Sequence, residues 1–340
     1  MYDENTAVPP NLSVERPNFV ILYHAPDPPP ARPQTTTRSP PTAPKGHQMT
    51  NPAPIPSPIK IAAVQFLNTV SLIEGLDTWT GCELIKAVPS RIGDMVRSGA
   101  ADIGLASIVD AADPASNLTL IPAGMIGCEG PTLTVRLFSA VPPEQITTVH
   151  ADTDSHTSVM LSDVILRERC GVRADFKPFH AQEKSGTNAN TPDEAWPETV
   201  LLIGDKVVVD SPPAVRYPHQ IDLGQAWNEL TGLPFVYATW MCRTEDANTT
   251  RILEAAAMLE RVRLRNNLRL DWLVTNQART HRWPADLART YIGQLLKFNP
   301  DARAQQAVTL FYEKLKAHNI LNTAEPNWMP LAAPARATCP

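Results

Sequence analysis

Residues 61–76 read IAAVQFLNTVSLIEGL, and this stretch decides the fold that we expect for the rest of the chain. The apolar run Ile61–Phe66 predicts a buried β-strand, and the apolar residues between Val70 and Leu76 predict a short helix. Asn68 stands between them, and asparagine is a favoured helix N-cap. Backbone N–H groups at such a junction point to the sheet edge where open α/β sheets bind anions. Helix capping and ligand contact therefore compete for the Asn68 amide.

Strand and helix patterns keep alternating after residue 59, which is typical of an α/β fold with parallel strands. Two α/β units are separated by extended stretches near Thr132–Phe138 and Phe235–Trp240, and the pattern beyond residue 246 is helical. We therefore expect two lobes joined by a two-strand hinge, with C-terminal helices and a ligand cleft between the lobes. The predicted bounds are 58–135 with 241–322 for lobe 1 and 136–240 for lobe 2.

The two ends of the chain differ in composition from its centre. Residues 1–57 are rich in proline and poor in aliphatic side chains, so we expect a disordered leader, and Met49 is an alternative start. Residues 323–340 are rich in proline and alanine and are expected to form a flexible tail. The opening MYDENTAVPP has neither the basic nor the apolar region of a signal peptide, so we expect a cytoplasmic protein.

Composition excludes several classes of function. The 340-residue chain has a net charge of −5 and no basic patch, so nucleic acid is not an expected partner. Its five cysteines form no C-x-x-C pair, and its eight histidines form no H-E-x-x-H motif, so we expect neither a disulfide framework nor a metal site. No apolar run approaches the roughly 20 residues that a membrane helix needs. Glycine-rich nucleotide loops are also absent, so no cofactor is expected.

Three further junctions between strands and helices repeat the chemistry of the opening stretch. Ser107 ends the strand pattern ADIGLAS, Thr157-Ser158 begins a helix after DTDSH, and Gly204-Asp205 follows LLI. Each offers a hydroxyl or backbone N–H groups at the start of a helix, which suits a carboxylate. Each taken alone also fits an ordinary helix cap. Four of them in one two-lobed chain favour a small anionic ligand, with His156 as a further candidate contact.

These junctions occur in motifs that resemble the chorismate dehydratases of the futalosine route to menaquinone. The motifs are QFLNT (65–69), ADIGLAS (101–107), GCEGPTLTV (127–135), DTDSHTSV (152–159), LLIGD (201–205) and DLGQAWNELTGLPFVYATW (222–240). The resemblance implies the two-lobed fold of type II periplasmic-binding proteins. It also implies loss of water from chorismate to give 3-[(1-carboxyvinyl)oxy]benzoate, with the enolpyruvyl carboxylate of the substrate acting as the base.

The resemblance also assigns roles to residues. It implies catalytic positions at Asn68 and Thr134 and substrate-binding positions in a further set: Thr69, Ser107, His156, Thr157, Ser158, Gly204 and Asp205. Many relatives carry arginine where this chain has His156, so a carboxylate contact there would depend on pH.

Two alternatives stay open at this stage. One is the sister enzyme of the same pathway, 1,4-dihydroxy-6-naphthoate synthase, although the FLN and TSV motifs favour the dehydratase. The other is a non-catalytic protein that binds a carboxylate, whose cleft would look the same. The sequence leaves the oligomeric state open.

Overall fold

A computed structural model describes residues 57–180 and 196–330 of the chain. Apart from residue 57, the predicted leader lies outside the described residues, as do residues 331–340 of the predicted tail. Residues 327–329 belong to the predicted tail and pair with a strand of the body. Asn327 O accepts a hydrogen bond from Leu120 N, and Met329 N donates one to Leu120 O, so this segment is held along a strand of the body.

The described strands form two sheets. In chain order they are β1 (Ile59–Ala63), β2 (Cys82–Lys86), β3 (Ile103–Ser107), β4 (Leu118–Cys128), β5 (Val135–Ser139), β6 (Thr148–Asp152), β7 (Asp175–Phe179), β8 (Thr199–Ile203), β9 (His219–Asp222), β10 (Phe235–Arg243) and β11 (Leu296–Lys297). The six-stranded sheet has the order β11-β4-β10-β3-β1-β2 and the five-stranded sheet the order β7-β6-β8-β5-β9. Parallel pairs lie at β2-β1-β3 and at β7-β6-β8, and the other pairs are antiparallel. The prediction of an α/β fold with two lobes is confirmed.

The helices cover and connect these sheets. They are α1 (Val70–Ile73), α2 (Pro89–Arg97), α3 (His156–Cys170), α4 (Lys206–Val209), α5 (Leu223–Thr231), α6 (Thr250–Asn267), α7 (Leu270–Gln277), α8 (Ala285–Thr290) and α9 (Ala302–Ala317). Within the two described segments, no helix is long and apolar enough to cross a membrane.

Short polar residues fix where the longer helices begin. Ser155 accepts a hydrogen bond from Ser158 N at the start of α3, and Asp222 accepts two from the first turn of α5. Asp301 caps α9 in the same way through Ala304 N. Such caps satisfy backbone N–H groups that have no partner inside the helix.

The chain crosses between the sheets twice, once between β4 and β5 and once through α5 between β9 and β10. The predicted C-terminal end of lobe 2, residue 240, does not coincide with the boundary between the two sheets. β10 pairs along its length with β3 and β4, so residues 235–240 lie in the six-stranded sheet. Burial explains this placement, since Phe235 packs on Trp227 and Phe311 with ring centroids 5.2 and 5.0 Å apart.

Candidate functional site

One cavity lies where the two sheets meet, and we call it the cleft. Its lining residues come from the C-terminal ends of β1, β3 and β8, from the starts of α2 and α3, from β4 and the crossing that follows it, from β10, and from the segment that leads into β11. They are Val64, Phe66, Asn68, Pro89, Leu105, Ser107, Ile126, Thr132, Thr134, Val135, Ser155, Ser158, Ile203, Gly204, Tyr237, Ala238, Tyr291 and Leu296. The cavity measures about 60 Å³. The structure thus brings together five of the nine predicted site residues: Asn68, Ser107, Thr134, Ser158 and Gly204.

Asn68 does not cap a helix. The strand β1 leads into a 3₁₀ turn, Leu67–Thr69, whose N-cap is Phe66, and Thr69 precedes α1 without a side-chain cap. Asn68 Oδ1 is buried in the wall of the cleft and has no hydrogen-bond partner among the described residues. A buried carbonyl oxygen without a donor is costly, so it marks a place where a ligand or a water would donate a hydrogen bond.

Thr134 and Tyr291 form a hydrogen-bonded pair beside Asn68. The Thr134 Oγ1 atom lies 2.6 Å from the Tyr291 hydroxyl, and both side chains are buried. Burial raises the pKa of the Tyr291 phenol above its ordinary value, so the hydroxyl stays protonated. Tyr291 stacks on Trp283 with ring centroids 4.8 Å apart, and it begins a π-helical turn, Tyr291–Leu295. Turns of the π-helical type are rare in proteins, and those that occur often lie at functional sites.

A second hydroxyl pair lies on the crossing after β4. The Thr132 Oγ1 atom is 2.7 Å from the Tyr237 hydroxyl and 3.1 Å from Cys128 Sγ. Burial raises the pKa of Tyr237 well above its ordinary value and raises the pKa of the Cys128 thiol to about 12. Both groups are therefore neutral at physiological pH, and Cys128 is unsuited to act as a nucleophile.

Serine hydroxyls from both sheets complete the polar lining. Ser155 and Ser158 lie at the start of the 15-residue helix α3, where the Ser155 hydroxyl donates to Ser158 Oγ at 2.8 Å. Ser107 ends β3, and its side chain makes no hydrogen bond to another described residue. The positive end of the α3 dipole and free hydroxyls favour an anion at this end of the cleft.

Two predicted binding residues use their hydroxyls within the fold instead. Thr69 donates to the Val64 and Phe66 carbonyls at 3.0 and 2.8 Å. Thr157 donates to the Tyr237 carbonyl at 3.0 Å, which ties α3 to β10. Neither residue lines the cleft. Both hydroxyls therefore satisfy backbone carbonyls: Thr69 those that follow β1, and Thr157 one at the register shift between Val236 and Ala238 in β10.

His156 also lies outside the cleft lining. Its Nδ1 atom is 2.9 Å from Asp110 Oδ1, and its side chain is 44% exposed. The hydrogen bond to Asp110 raises the pKa of His156, which favours the charged imidazolium. His156 begins α3 beside the five-stranded sheet, and Asp110 follows β3 of the six-stranded sheet. The pair therefore links the two lobes.

Gly204 and Asp205 have different roles, although they are adjacent in the chain. Gly204 has a φ of +75°, lines the cleft, and donates its N–H to the Thr134 carbonyl at 2.9 Å. Asp205 is buried but does not line the cleft. Its carboxylate accepts the Leu67 N–H at 3.2 Å and lies 2.9 Å from His281 Nδ1. Asp205 thus anchors the turn that carries Asn68.

The cleft has no formal charge of its own. Its lining contains no aspartate, glutamate, histidine, lysine or arginine. Within the part of the chain that the structure describes, no group of three or more His, Cys, Asp or Glu residues is placed to hold a metal ion. The cleft can therefore offer hydrogen bonds, a helix dipole and an apolar wall to a ligand.

Sequence reasoning missed several cleft residues, namely Phe66, Thr132, Ser155, Tyr237 and Tyr291. The S-x-x-S spacing before α3 is the signal that identifies Ser155 as the cap. Local pattern gives no signal for Tyr291, because its partner in the cleft is 157 residues away in the chain.

Comparison with known proteins gives a family and a curated relative. The profile of a family described as menaquinone biosynthesis matches residues 59–317. The chain is 26% identical over 189 residues to a protein of Thermus thermophilus named chorismate dehydratase. That alignment covers 52% of this chain and 66% of the relative, which is just under two thirds of its length.

Solved structures show similarity in fold. A conserved Candida albicans gene product, described as having the generic periplasmic-binding-protein fold, superposes with a TM-score of 0.58 at 11% identity over 82% of this chain and 99% of its own. The periplasmic aliphatic sulphonate-binding protein of Escherichia coli superposes with a TM-score of 0.53 at 12% identity over 82% of this chain and 94% of its own. The predicted periplasmic-binding-protein-like fold is confirmed.

Proposed function

We propose that this chain, which belongs to the menaquinone biosynthesis family, is a chorismate dehydratase that removes water from chorismate to give 3-[(1-carboxyvinyl)oxy]benzoate. The observation that carries the proposal is the lining of the cleft, where hydroxyls and one amide surround a ligand space without a charged side chain. Chorismate is a dicarboxylate, and it brings into such a site the negative charge and the basic group that the protein lacks.

The reaction itself suits an uncharged site. A ring C–H bond and the C–O bond of the neighbouring hydroxyl break, and the proton and the hydroxide leave together as water. Because the ring becomes aromatic, the product state supplies much of the driving force. The neutral phenols and serines cannot remove the proton, so the enolpyruvyl carboxylate of the substrate is the base in this proposal.

Two ends of the cleft would hold the carboxylates and the reacting ring. Ser155 and Ser158 lie at the positive end of the α3 dipole, and Ser107 faces them from the other sheet. The Asn68 amide and the Thr134–Tyr291 pair form the remaining polar surface. We place the ring carboxylate at the serine end and the leaving hydroxyl at Asn68, whose Oδ1 atom lacks a donor. The enolpyruvyl carboxylate then lies beside the ring C–H bond that it breaks.

The size of the cleft makes lobe movement part of the proposal. Pockets that bury small organic ligands usually measure about 300–1,000 Å³, whereas this cleft measures about 60 Å³. Chorismate therefore requires the lobes to move apart. The contacts that link them, His156 with Asp110 and Asp205 with Leu67, would break or shift on opening.

The test is turnover by the purified full-length chain. We expect chorismate to be consumed and a product lighter by one water to appear by mass spectrometry. Tight binding of chorismate without turnover would overturn the enzyme proposal and favour the carboxylate-binding protein. Absence of both binding and turnover would direct the search to the later substrates of the same pathway.

A further inference from the structure

A second and larger cavity lies behind the cleft, and we call it the rear cavity. It measures about 400 Å³, within the range of small-molecule sites. It opens between α6, the strand β11 and the start of α9, where Arg263, Asn266, Lys297 and Asp301 line it. The predicted site residues are absent from its lining.

The floor of the rear cavity carries a buried acceptor without a donor. Asn266 is fully buried, and its Nδ2 atom donates to the Ser71 and Glu74 carbonyls at 3.3 and 3.0 Å. These two bonds fix the orientation of the amide and leave Oδ1 without a partner among the described residues. The buried Ser71 hydroxyl also lines the cavity and makes no hydrogen bond to another described residue. A buried acceptor such as Asn266 Oδ1 requires a donor that the described residues do not supply.

The rim of the rear cavity has one basic side chain without an ion pair. Its lining has three basic residues, Arg263, Lys297 and Arg303, and two acidic ones. Arg303 pairs with Glu129 at 2.7 Å and Arg263 pairs with Glu260 at 2.6 Å, whereas Asp301 accepts the Ala304 N–H at the cap of α9. Lys297 is exposed and has no ion pair within the described residues. Its charge is therefore available to a ligand.

Part of the remaining wall is apolar, although Asn267 and Asn299 also line the cavity. The apolar part is formed by Met125, Leu270, Ile292 and Phe298. An apolar wall, a buried acceptor and an unneutralised cation together define the chemistry of the occupant. We propose that the rear cavity is a second binding site for a small ring-bearing carboxylate with a hydroxyl group, whose hydroxyl donates to Asn266 Oδ1 and whose carboxylate faces Lys297.

The same elements separate the rear cavity from the cleft. Ser71 lines the rear cavity and Asn68, three residues earlier in the same helical stretch, lines the cleft. Met125 and Ile126 project to opposite sides of β4 in the same way, and Leu296, just after the π-helical turn, lines both. An occupant of the rear cavity thus contacts three elements that shape the cleft. If the chain has the proposed function, binding of a ligand in the rear cavity should change the KM for chorismate.

The test uses binding, so that it does not depend on turnover. Isothermal titration of the full-length chain with 3-hydroxybenzoate should show binding, and benzoate, which lacks the hydroxyl, should bind about tenfold more weakly, which corresponds to roughly 1.4 kcal/mol. Lys297→Glu should weaken binding of 3-hydroxybenzoate about tenfold, and Ser71→Ala should weaken it several-fold without loss of fold by circular dichroism. Lys316→Glu changes an exposed lysine of α9 away from the cavity and should leave the affinity unchanged.

Three results would overturn the proposal. The first is the absence of binding at millimolar 3-hydroxybenzoate. The second is an affinity that Lys297→Glu and Ser71→Ala leave unchanged. The third is complete loss of binding in Asn68→Ala, which would place the probe in the cleft alone. A chain that binds the probe as expected but does not turn over chorismate would keep this proposal and reject the proposed reaction.

Discussion

Asp205→Asn is the substitution that separates the anchoring of Asn68 from its chemistry. The Asp205 carboxylate accepts the Leu67 N–H at 3.2 Å and lies 2.9 Å from His281 Nδ1, and it is nearly buried. An asparagine keeps one oxygen acceptor and loses the charge, so one of the two contacts is lost. A hydrogen bond to a charged group contributes about 1.5–3 kcal/mol. We therefore expect a loss of about 2 kcal/mol in the free energy of unfolding, or roughly 4–8 °C in Tm.

The effect on turnover should exceed the effect on folding. A loosened Leu67–Thr69 turn moves the amide of Asn68, and small displacements of reacting groups cost up to about 100-fold in rate. We expect kcat for chorismate to fall by roughly tenfold or more at a temperature where Asp205→Asn is fully folded. Steady-state kinetics with thermal unfolding of the same samples measures both quantities.

Asp210→Asn is the matched control. Asp210 binds Arg282 at 2.7 Å, next to His281, but it does not contact the turn that carries Asn68. This ion pair is exposed only at its Arg282 end, so the variant should lose about 1 kcal/mol of stability and keep kcat within about twofold. Wild-type kcat in Asp205→Asn, or equal losses in both variants, would refute the anchoring role.

Three further predictions concern the cleft and the contact between the lobes. Asn68→Ala should lower kcat for chorismate at least about 100-fold with little change in Tm, because its Oδ1 atom makes no hydrogen bond that the fold could lose. Tyr291→Phe should lower both stability, by about 1–2 kcal/mol, and kcat, because it removes the 2.6 Å contact with Thr134. The raised pKa of His156 beside Asp110 should stabilise the fold below about pH 6.5, the ordinary histidine value, and this stabilisation should disappear as pH rises through the raised pKa.

Controls make the outcomes for Tyr291 and His156 specific. Tyr217→Phe removes the hydroxyl of a buried tyrosine that donates to the Pro197 carbonyl, and neither residue lines the cleft, so it should reduce stability like Tyr291→Phe but leave kcat unchanged. A similar fall in kcat for both tyrosine variants would assign Tyr291 a purely structural role. For His156, denaturant unfolding of wild type and His156→Gln at pH 5.5 and 8.5 gives the stability difference. A difference that does not grow at the lower pH would contradict the assignment.

The sequence predicted much of the fold because its signals are local. The alternation of strands and helices, the proline at the start of α2 and the left-handed Gly99 after its end all depend on neighbouring residues. The strands β7 and β9 were missed, since their short, partly exposed patterns resemble loops. The pairing of β10 with the six-stranded sheet depends on contacts distant in the chain, which periodicity does not report.

The candidate site was predicted less completely, and for a physical reason. A hydroxyl near a helix start is equally suited to bind a ligand or a backbone carbonyl, and the sequence does not distinguish Ser107 from Thr157. His156 was expected to hold a carboxylate, and it binds the carboxylate of Asp110. Tyr291 reaches the cleft only because the chain after α8 forms a π-helical turn, for which no sequence pattern was available.

Product formation from chorismate by the purified full-length chain tests the central claim most directly. We expect chorismate to disappear in the absence of added metal or cofactor and 3-[(1-carboxyvinyl)oxy]benzoate to accumulate in equal amount, as measured by liquid chromatography with mass detection. One result would contradict the proposed reaction. In it, the wild-type chain binds chorismate, Asn68→Ala abolishes this binding, and the wild-type chain still forms none of the product.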